Sequence, residues 1–363
     1  MKYFLVAGEA SGDLHAGRLM QAIGKQDPQA DFACWGGEKM QDAGGKLLQH
    51  YSQLAFMGFW EVLKNLRSIF RGIRQCKSDI LIFQPDTLIL IDYPGFNLRL
   101  AKWAHKKGLR VVWYIAPQLW AWHQSRVKNI KRDVDLLLVI LPFEVDFYKK
   151  FDIDAQFVGH PLLDDPAFDT KNAVEERNII TLLPGSRKQE ISRHLPLMSA
   201  LVKRMPQEEF VVAGMSHLGE NYYKKVLNST KVHIVFDASR ELLQKSKAAV
   251  VASGTATLEA ALLNVPQVVC YKSNAISYFI GKQLVKAPWI SLVNLILNEA
   301  LLTELIQQDM NPEKMQAELE AVLKKDRQAI LSEKYVLLRQ VLGEKGAAEK
   351  AATFIRKLLE KVD

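Results

Sequence analysis

Short apolar runs alternate with helical patterns along this chain, and this alternation constrains the fold more than any other feature. In the first half the apolar runs cover residues 3–7, 87–91, 110–115 and 135–140, and residues 98–107 have helical spacing. Strands and helices that alternate in this way are typical of a parallel sheet with crossover helices. The first half therefore predicts a doubly wound α/β domain.

The pattern breaks near residues 157–161 and resumes after a polar, acidic stretch at 164–177. The second series has strand candidates at residues 178–183, 209–213, 233–235, 248–252 and 267–270. A chain of 363 residues is long enough for two domains of typical size. We therefore predict two Rossmann-like domains, at 1–163 and 164–340. A C-terminal helix within 341–363 is expected to pack back onto the first domain.

Net charge and cysteine content limit the kind of binding partner and the cellular compartment that the chain suits. The formal charge of +8 favours an anionic partner, which could be nucleic acid, a phosphorylated metabolite or a membrane surface. Cys34, Cys76 and Cys270 have no paired spacing, so the sequence supports neither disulfides nor zinc and indicates a reducing, cytosolic compartment. No apolar run approaches the roughly 18 residues that span a bilayer, so any membrane contact is expected to be peripheral.

The first strand-to-helix turn has the composition of a ligand-binding turn. Gly8 and Gly12 permit positive φ and close backbone approach, and Ser11 and Asp13 can cap a helix predicted to begin near residue 14. Because an open helix N-terminus favours a negative group, these residues and Glu9 are candidate substrate contacts. A Gly-rich turn that serves packing alone would have the same sequence.

The second half has a turn that is suited to a nucleotide diphosphate. It follows the apolar run at 248–252 and opens a helix, so its hydroxyl and N–H groups would face an anion. The candidate ligands are Ser253, Gly254, Thr255, Thr257 and Glu259. The carboxylate of Glu259 could accept hydrogen bonds from ribose hydroxyls, or it could only complement the helix dipole.

A second anion-binding turn contains Gly185, Ser186 and Arg187. The Arg187 guanidinium can form paired hydrogen bonds with phosphate oxygens, although a solvated arginine in a basic loop is the alternative. Neither turn contains a P-loop or a Gly-x-Gly-x-x-Gly pattern. The sequence therefore lacks the standard fingerprints of ATPases and dehydrogenases.

Asp92 follows the apolar run at 87–91, which places its carboxyl group at the C-terminal end of a predicted buried strand. Ligands of open α/β sheets bind at that edge. A carboxylate there could remove a proton from an attacking hydroxyl if burial raises its pKa. The alternative is an aspartate that only forms the turn before Pro94.

An aromatic cluster and a basic amphipathic segment indicate contact with a membrane or with acyl chains. The cluster contains Phe56, Met57, Phe59 and Trp60. In the helical pattern that follows, Lys64, Arg67, Arg71 and Arg74 share one face, opposite Val62, Leu66, Ile69 and Ile73. Such a helix suits an anionic membrane surface, and an ordinary helix packed on a sheet gives the same stripe. Further on, Trp120 and Trp122 could contact acyl chains or pack in the core.

Seven sequence motifs together carry a family resemblance. They are residues 6–13 (VAGEASGD), 57–58 (MG), 91–97 (IDYPGFN), 118–122 (QLWAW), 157–161 (FVGHP), 183–187 (LPGSR) and 252–259 (ASGTATLE). On these motifs the chain resembles the lipid-A-disaccharide synthase family of glycosyltransferases. The resemblance implies the GT-B architecture, in which two Rossmann-like domains face a cleft.

The resemblance also implies a reaction. UDP-2,3-diacylglucosamine would be condensed with 2,3-diacylglucosamine 1-phosphate to give the β-1,6-linked disaccharide of lipid A and UDP, with no metal and no cofactor. The family's essential acidic residue corresponds to Asp92 and its Gly-Ser-Arg arginine to Arg187. Asn294, Glu304 and Gln307 would shape the nucleotide site. The resemblance implies a peripheral enzyme on the cytoplasmic face of the inner membrane. A second copy of the chain, in a homodimer, is a candidate partner.

Two departures from the family pattern and two Asp-x-Asp triplets affect this interpretation. Many family members have an acidic residue where this chain has Gly95 and a proline where it has Thr303, so Asp92 is expected to act without an acidic neighbour at position 95. The triplets, at residues 133–135 and 152–154, lie away from the proposed diphosphate turns and are interpreted as incidental rather than as metal ligands.

The residues alone leave other functions open. A UDP-sugar 2-epimerase shares the architecture but needs no acceptor, and the aromatic, basic surface of the first domain disfavours it. A non-catalytic nucleotide-binding protein at the membrane would not need a carboxylate at the position of Asp92. Nucleic-acid binding is the weakest alternative, because the basic residues follow an apolar stripe rather than a known recognition module.

Overall fold

The computed structural model describes residues 1–53, 66–121, 124–168, 177–227, 232–274, 278–279 and 287–360. The chain divides into two compact units, Met1–Asp164 with Leu342–Asp363, and Asp165–Val341. Within the described residues, each unit contains one parallel sheet flanked by helices. This confirms the predicted α/β fold class.

The sheet of the first unit has the order β3-β2-β1-β4-β5-β6-β7 over the described residues. Its strands are β1 (Lys2–Ala7), β2 (Asp31–Gly36), β3 (Lys46–His50), β4 (Thr87–Ile91), β5 (Arg110–Tyr114), β6 (Leu136–Val139) and β7 (Ala155–Phe157). Its helices are α1 (Ala10–Gln26), α2 (Glu38–Asp42), α3 (Leu66–Phe83), α4 (Pro94–Lys106), α5 (Val127–Asp133) and α6 (Pro142–Lys149). The strand order reverses between β1 and β4, which is the position where doubly wound sheets bind ligands.

The sheet of the second unit has the order β10-β9-β8-β11-β12-β13 over the described residues. Its strands are β8 (Ile179–Leu183), β9 (Phe210–Gly214), β10 (His233–Phe236), β11 (Ser246–Ala252), β12 (Gln267–Tyr271) and β13 (Glu304–Ile306). Its helices are α7 (Lys188–Arg204), α8 (Glu220–Leu227), α9 (Ser239–Gln244), α10 (Thr255–Leu262), α11 (Leu292–Leu297), α12 (Pro312–Val322) and α13 (Lys325–Val341). Here the order reverses between β8 and β11.

Burial on both faces explains the composition of the central strands. Every residue of β4 is buried, and β1 is buried from its second residue onward. Strands that are covered on both faces have continuous apolar sequences rather than alternating apolar and polar residues. One face of the first sheet is covered by α1 and by a last helix, α14 (Ala347–Glu360), whose Ala351, Ile355 and Leu359 lie in the same core.

The first turn differs from the sequence prediction in its details. Helix α1 begins at Ala10 rather than near residue 14, and neither Gly8 nor Gly12 has a positive φ. Close approach instead requires glycine at position 8 and favours a small residue at position 12. A Cβ on Gly12 would lie 3.3 Å from the Cβ of Ala7, and one on Gly8 would lie 2.4 Å from the Tyr93 ring.

Asp13 does not cap its own helix, and that prediction was wrong. Its side chain is buried and its carboxylate accepts the backbone N–H groups of Gly37 at 2.7 Å, Lys39 at 3.0 Å and Met40 at 3.1 Å. Asp13 therefore caps the N-terminus of α2 and joins the loop after β2 to α1. Because its oxygens serve this loop, Asp13 is a structural residue rather than a substrate contact.

Among the described residues, no helix combines the length and apolar character needed to cross a membrane. On α3, Ile73, Cys76 and Ile80 are buried in the core of the first unit. The described part of this amphipathic helix therefore directs its apolar face to the sheet.

Asp13→Ala should destabilise the protein by about 3 kcal/mol, because it leaves buried N–H groups without the carboxylate that accepts them. Chemical denaturation of the variant would measure the effect, with Asp42→Ala as the control, because Asp42 is an exposed residue of α2, the helix that Asp13 caps. Equal stability of the two variants would contradict this role of Asp13.

Candidate active site

Three non-glycine residues with left-handed backbone conformations lie at the carboxyl ends of β4 and β5. They are Asp92 with φ 41°, Tyr93 with φ 49° and Ile115 with φ 63°. Because β4 and β5 are neighbours, both ends lie at the same edge of the sheet. Such conformations cost free energy, especially for the β-branched Ile115, and they concentrate at functional sites.

Asp92 lies at this edge, and its carboxyl group has a perturbed pKa. The residue keeps an exposed surface, but the protein packed around the carboxyl group desolvates the charged form and raises its pKa to about 6. The charge of nearby Glu9 adds to the increase, and a hydrogen bond from the Tyr93 N–H opposes it. A carboxylate with this pKa is a stronger base than an ordinary aspartate and is still ionised at neutral pH.

The backbone of Asp92 is held in place by a buried amide. Asn97 on α4 donates its Nδ2 hydrogens to the backbone oxygens of Ile91 at 3.2 Å and Asp92 at 2.7 Å. The Tyr93 ring lies against Gly8 and stacks on Phe96 at 5.6 Å. The structure thus brings Gly8 together with Tyr93, and Glu9 close to Asp92. Ser11 is exposed on the first turn of α1.

Glu144 is a buried acid near Asp92 that the sequence analysis did not identify. Only 1% of its surface is exposed, and its carboxyl group accepts the Leu141 N–H at 3.0 Å and the Trp120 indole N–H at 3.2 Å. Burial raises its pKa to about 8, and the charge of Asp92 contributes to the increase. A proline and then a glutamate in the first turn of α6 form a capping signal that could have revealed it.

Trp120, a predicted acyl contact, is half-buried, and its ring packs edge-on against Phe143 at 5.0 Å. Its indole hydrogen bond to Glu144 ties the loop after β5 to α6. The other predicted acyl and membrane contacts, Phe56, Met57, Phe59, Trp60, Lys64 and Trp122, lie outside the described residues. Arg67 lies in α3.

In the second unit, the predicted anion-binding turn that contains Gly185, Ser186 and Arg187 contacts the carboxylate of a neighbouring helix. Glu190 on α7 accepts the backbone N–H groups of Ser186 at 3.2 Å and Arg187 at 3.3 Å, and it lies 3.5 Å from the Arg187 guanidinium. Gly185 has φ 113°, and a Cβ there would lie 2.6 Å from a Glu190 oxygen, so glycine is required. The Arg187 side chain is 60% exposed, which leaves it accessible to a ligand.

In the turn between β11 and α10, some of the predicted ligand residues are exposed and others form hydrogen bonds within the protein. Gly254 and Thr255 are exposed, whereas the buried Thr257 donates its hydroxyl to the Gly254 oxygen at 2.8 Å. The Ser253 hydroxyl donates to the Ile290 oxygen at 2.8 Å. Thr257 is therefore a structural residue of the turn, contrary to its assignment as a ligand.

Glu259 belongs to a small charged cluster in the second unit. Arg240 on α9 lies 3.5 Å from Glu259 and 2.6 Å from Asp165, and its guanidinium lies over the Phe168 ring. Burial raises the pKa of Glu259, while the Arg240 charge opposes the increase. Arg240 thus favours the ionised form of Glu259, which is the form that accepts hydrogen bonds.

Asn294, Glu304 and Gln307 organise the ends of β12 and β13. Glu304 accepts the backbone N–H groups of Ile290 and Ser291, and the buried Asn294 donates its two amide hydrogens to Glu304 and to the Leu302 oxygen. Gln307 accepts the Ser273 N–H at 3.1 Å. Asn294 therefore supports the loop before α11 with both of its amide hydrogens.

The Asp-x-Asp triplets are engaged with protein groups. Asp133 pairs with Arg132 at 2.6 Å, Asp135 accepts the Val111 N–H at 2.7 Å, and Asp152 pairs with Lys131 at 3.1 Å. In the part of the chain that the structure describes, no group of three or more His, Cys, Asp or Glu residues is arranged to hold a metal ion.

Comparison with known proteins shows the family of this chain and solved structures with a similar fold. The family model for lipid-A-disaccharide synthetase matches residues 3–358. The lipid-A-disaccharide synthase of Syntrophus aciditrophicus is 39% identical over 375 residues, which cover 99% of this chain and 98% of the relative. The fold is similar to S. aureus MnaA solved with UDP, with a TM-score of 0.67 at 12% identity, covering 99% of this chain and 97% of that one. The glycotransferase of kitacinnamycin gives 0.65 at 14% identity, with 98% of each chain covered.

The two parallel-sheet units have a fold of the GT-B type, as the family resemblance implied. The chain belongs to the lipid-A-disaccharide synthase family. It is therefore a glycosyltransferase of lipid A biosynthesis that forms the lipid A disaccharide.

Glu144→Gln should change how stability depends on pH. Burial raises the pKa of Glu144 from 4.5 to about 8, so between these values the folded protein keeps a proton that the unfolded chain releases. The wild type therefore loses stability as pH rises through this range, and the variant lacks this loss. Calorimetry should therefore show that the unfolding temperature of the variant, relative to that of the wild type, is higher at about pH 8 than at about pH 5.5. A difference independent of pH would contradict the assignment.

Proposed function

We propose that this chain condenses UDP-2,3-diacylglucosamine with 2,3-diacylglucosamine 1-phosphate by a single inverting displacement, with Asp92 as the general base. The observation that carries the proposal is the Asp92 carboxyl group, which lies at the carboxyl end of β4 and has a pKa raised to about 6. A base is most effective when its pKa lies near the working pH. Asp92 satisfies this condition, and an aspartate with the ordinary pKa of 3.8 does not.

In this mechanism the 6-hydroxyl of the acceptor attacks the anomeric carbon of the donor. The new C–O bond forms as the bond to the UDP oxygen breaks, and the hydroxyl proton passes to a carboxylate oxygen of Asp92. Attack on the face opposite UDP converts the α-linked donor into the β-1,6-linked product. The exposed Ser11 on α1, Gly8 and the nearby Glu9 would form the acceptor side of the site.

The second unit would bind the UDP part of the donor. The exposed Arg187 guanidinium would pair with the diphosphate, and the N-terminus of α10 at Gly254 and Thr255 would add N–H groups and a favourable dipole. Glu259, which lies beside Arg240, would accept hydrogen bonds from the ribose hydroxyls in its ionised form. These fixed donors would stabilise the charge that develops on the leaving UDP.

Asp92→Asn should lower kcat by about 100-fold or more while leaving the UDP dissociation constant unchanged, because general-base catalysis contributes on this scale. For the wild type, kcat/KM should fall as pH drops below about 6, where Asp92 becomes protonated. Steady-state rates of disaccharide formation across pH would measure both effects.

Asp146→Asn is the matched control, because Asp146 is an exposed carboxylate of the same unit. It should retain wild-type rates. Full activity of Asp92→Asn would eliminate the base assignment. Release of UDP without disaccharide would instead indicate an epimerase or hydrolase.

We also propose that the first unit contacts an anionic membrane surface, where both acylated substrates would be found. Phe70 on α3 is 56% exposed, and Arg71 and Arg74 are exposed on the same helix. An exposed aromatic ring beside cationic side chains suits the interface of an anionic bilayer. The basic net charge supports the same partner.

Phe70→Ser should weaken binding to vesicles that contain anionic lipid by about tenfold, since burial of a large apolar side chain contributes about 1.5 kcal/mol or more. Sedimentation with such vesicles would measure the partition coefficient. Leu337→Ser, which removes an exposed apolar side chain of the second unit, is the control. Equal binding by both variants would contradict the proposed surface.

A further inference from the structure

His194 on α7 makes two hydrogen bonds that define its chemical form. The side chain is buried, with 1% of its surface exposed. Its Nδ1 lies 2.8 Å from the backbone oxygen of Pro184, and its Nε2 lies 2.9 Å from the backbone nitrogen of Lys272. A carbonyl oxygen only accepts and a backbone N–H only donates, so Nδ1 carries the hydrogen and Nε2 the lone pair. Burial lowers the pKa of His194, which favours this neutral form.

These two bonds connect strands that are not neighbours. Pro184 follows β8 and Lys272 follows β12, while β11 lies between these strands in the sheet. The imidazole therefore links the two loops that flank the end of β11. Ser253, the first residue after β11, belongs to the turn that would receive the diphosphate.

Neighbouring side chains complete this arrangement. Glu190 lies one helical turn before His194 on α7 and accepts the Ser186 and Arg187 N–H groups. The Pro184–Arg187 turn is thus held at its carbonyl by His194 and at its amides by Glu190. On the other side, Gln307 accepts the N–H of Ser273, next to Lys272. Side chains therefore fix both flanking loops.

We propose that His194 is a positioning residue of the donor site, which sets the distance between the Arg187 turn and the end of β12. The inference rests on the proposed function of this sheet edge as the UDP site. A guanidinium clamp and a helix N-terminus bind one diphosphate only when their spacing matches it, so loss of the link should weaken donor binding. A histidine that only filled the core would affect stability without this selectivity.

His194→Phe keeps an aromatic ring but removes both hydrogen bonds. It leaves the Pro184 oxygen and the Lys272 N–H without their partner. His194→Gln can still accept the Lys272 N–H and is the conservative variant. Ser199→Ala is the matched control, because Ser199 is buried on the same helix and donates a hydrogen bond to the Leu227 oxygen, away from both loops.

Titration calorimetry with UDP and steady-state kinetics with both substrates test the proposal. His194→Phe should raise the UDP dissociation constant and the donor KM about tenfold, with the acceptor KM changed by less than about twofold. His194→Gln should give an intermediate effect. Ser199→Ala should lower the unfolding temperature and leave UDP binding unchanged. If His194→Phe does not fold, His194→Gln against Ser199→Ala decides the question.

Equal UDP affinity in the wild type and the His194 variants would overturn this inference and leave the proposed donor site standing. A parallel loss of donor and acceptor affinity, matched by Ser199→Ala, would also overturn it, because that result indicates general destabilisation. A wild-type protein that binds no UDP would overturn the proposed donor site and the inference with it.

Discussion

The chemistry that we propose for the first unit depends on the desolvation of one carboxyl group at the end of β4. Asp92 is ionised at neutral pH and has a pKa of about 6, because the protein around it disfavours the charged form. That environment requires the chain to turn sharply after β4, and the left-handed conformations of Asp92 and Tyr93 provide the turn. Asn97 holds the turn through two backbone oxygens, and Gly8 leaves room for the Tyr93 ring. Substitution at either position should therefore change the environment of Asp92, the proposed base.

Carboxylates that accept backbone N–H groups recur at the loops of both sheets. Asp13 holds the loop after β2, Glu144 the start of α6, Glu190 the Arg187 turn and Glu304 the loop before α11. Each bond is charge-assisted when the carboxylate is ionised, and so is stronger than a neutral bond. Loops fixed in this way need little rearrangement when a charged transition state forms, which is the condition for electrostatic catalysis. Two of the acidic residues that sequence motifs suggest as site residues, Asp13 and Glu304, thus serve the shape of the loops.

Most inner strands and the edge strand β10 could be predicted from sequence, whereas the edge strands β3, β7 and β13 could not. The apolar runs at 87–91 and 248–252 correspond to β4 and β11, which are covered on both faces. β7 and β13 have three residues each and were missed, because short edge strands leave little apolar signal. β2 is buried over five of its six residues, so its signal was present and overlooked. For the site, motifs located Asp92 and Arg187. The cap made by Asp13 and the link made by His194 depend on contacts that only the folded chain creates, whereas the capping signal at the start of α6 could have revealed Glu144.

The most direct test of the account is the structure of the product made by the purified protein. The protein would be incubated in detergent with chelator, UDP-2,3-diacylglucosamine and 2,3-diacylglucosamine 1-phosphate, and the product analysed by NMR. The account predicts a tetra-acylated disaccharide 1-phosphate with a β-1,6 linkage, formed in equal amount with UDP. An α linkage would contradict a single displacement with Asp92 as base, and UDP released without disaccharide would contradict the transfer reaction itself.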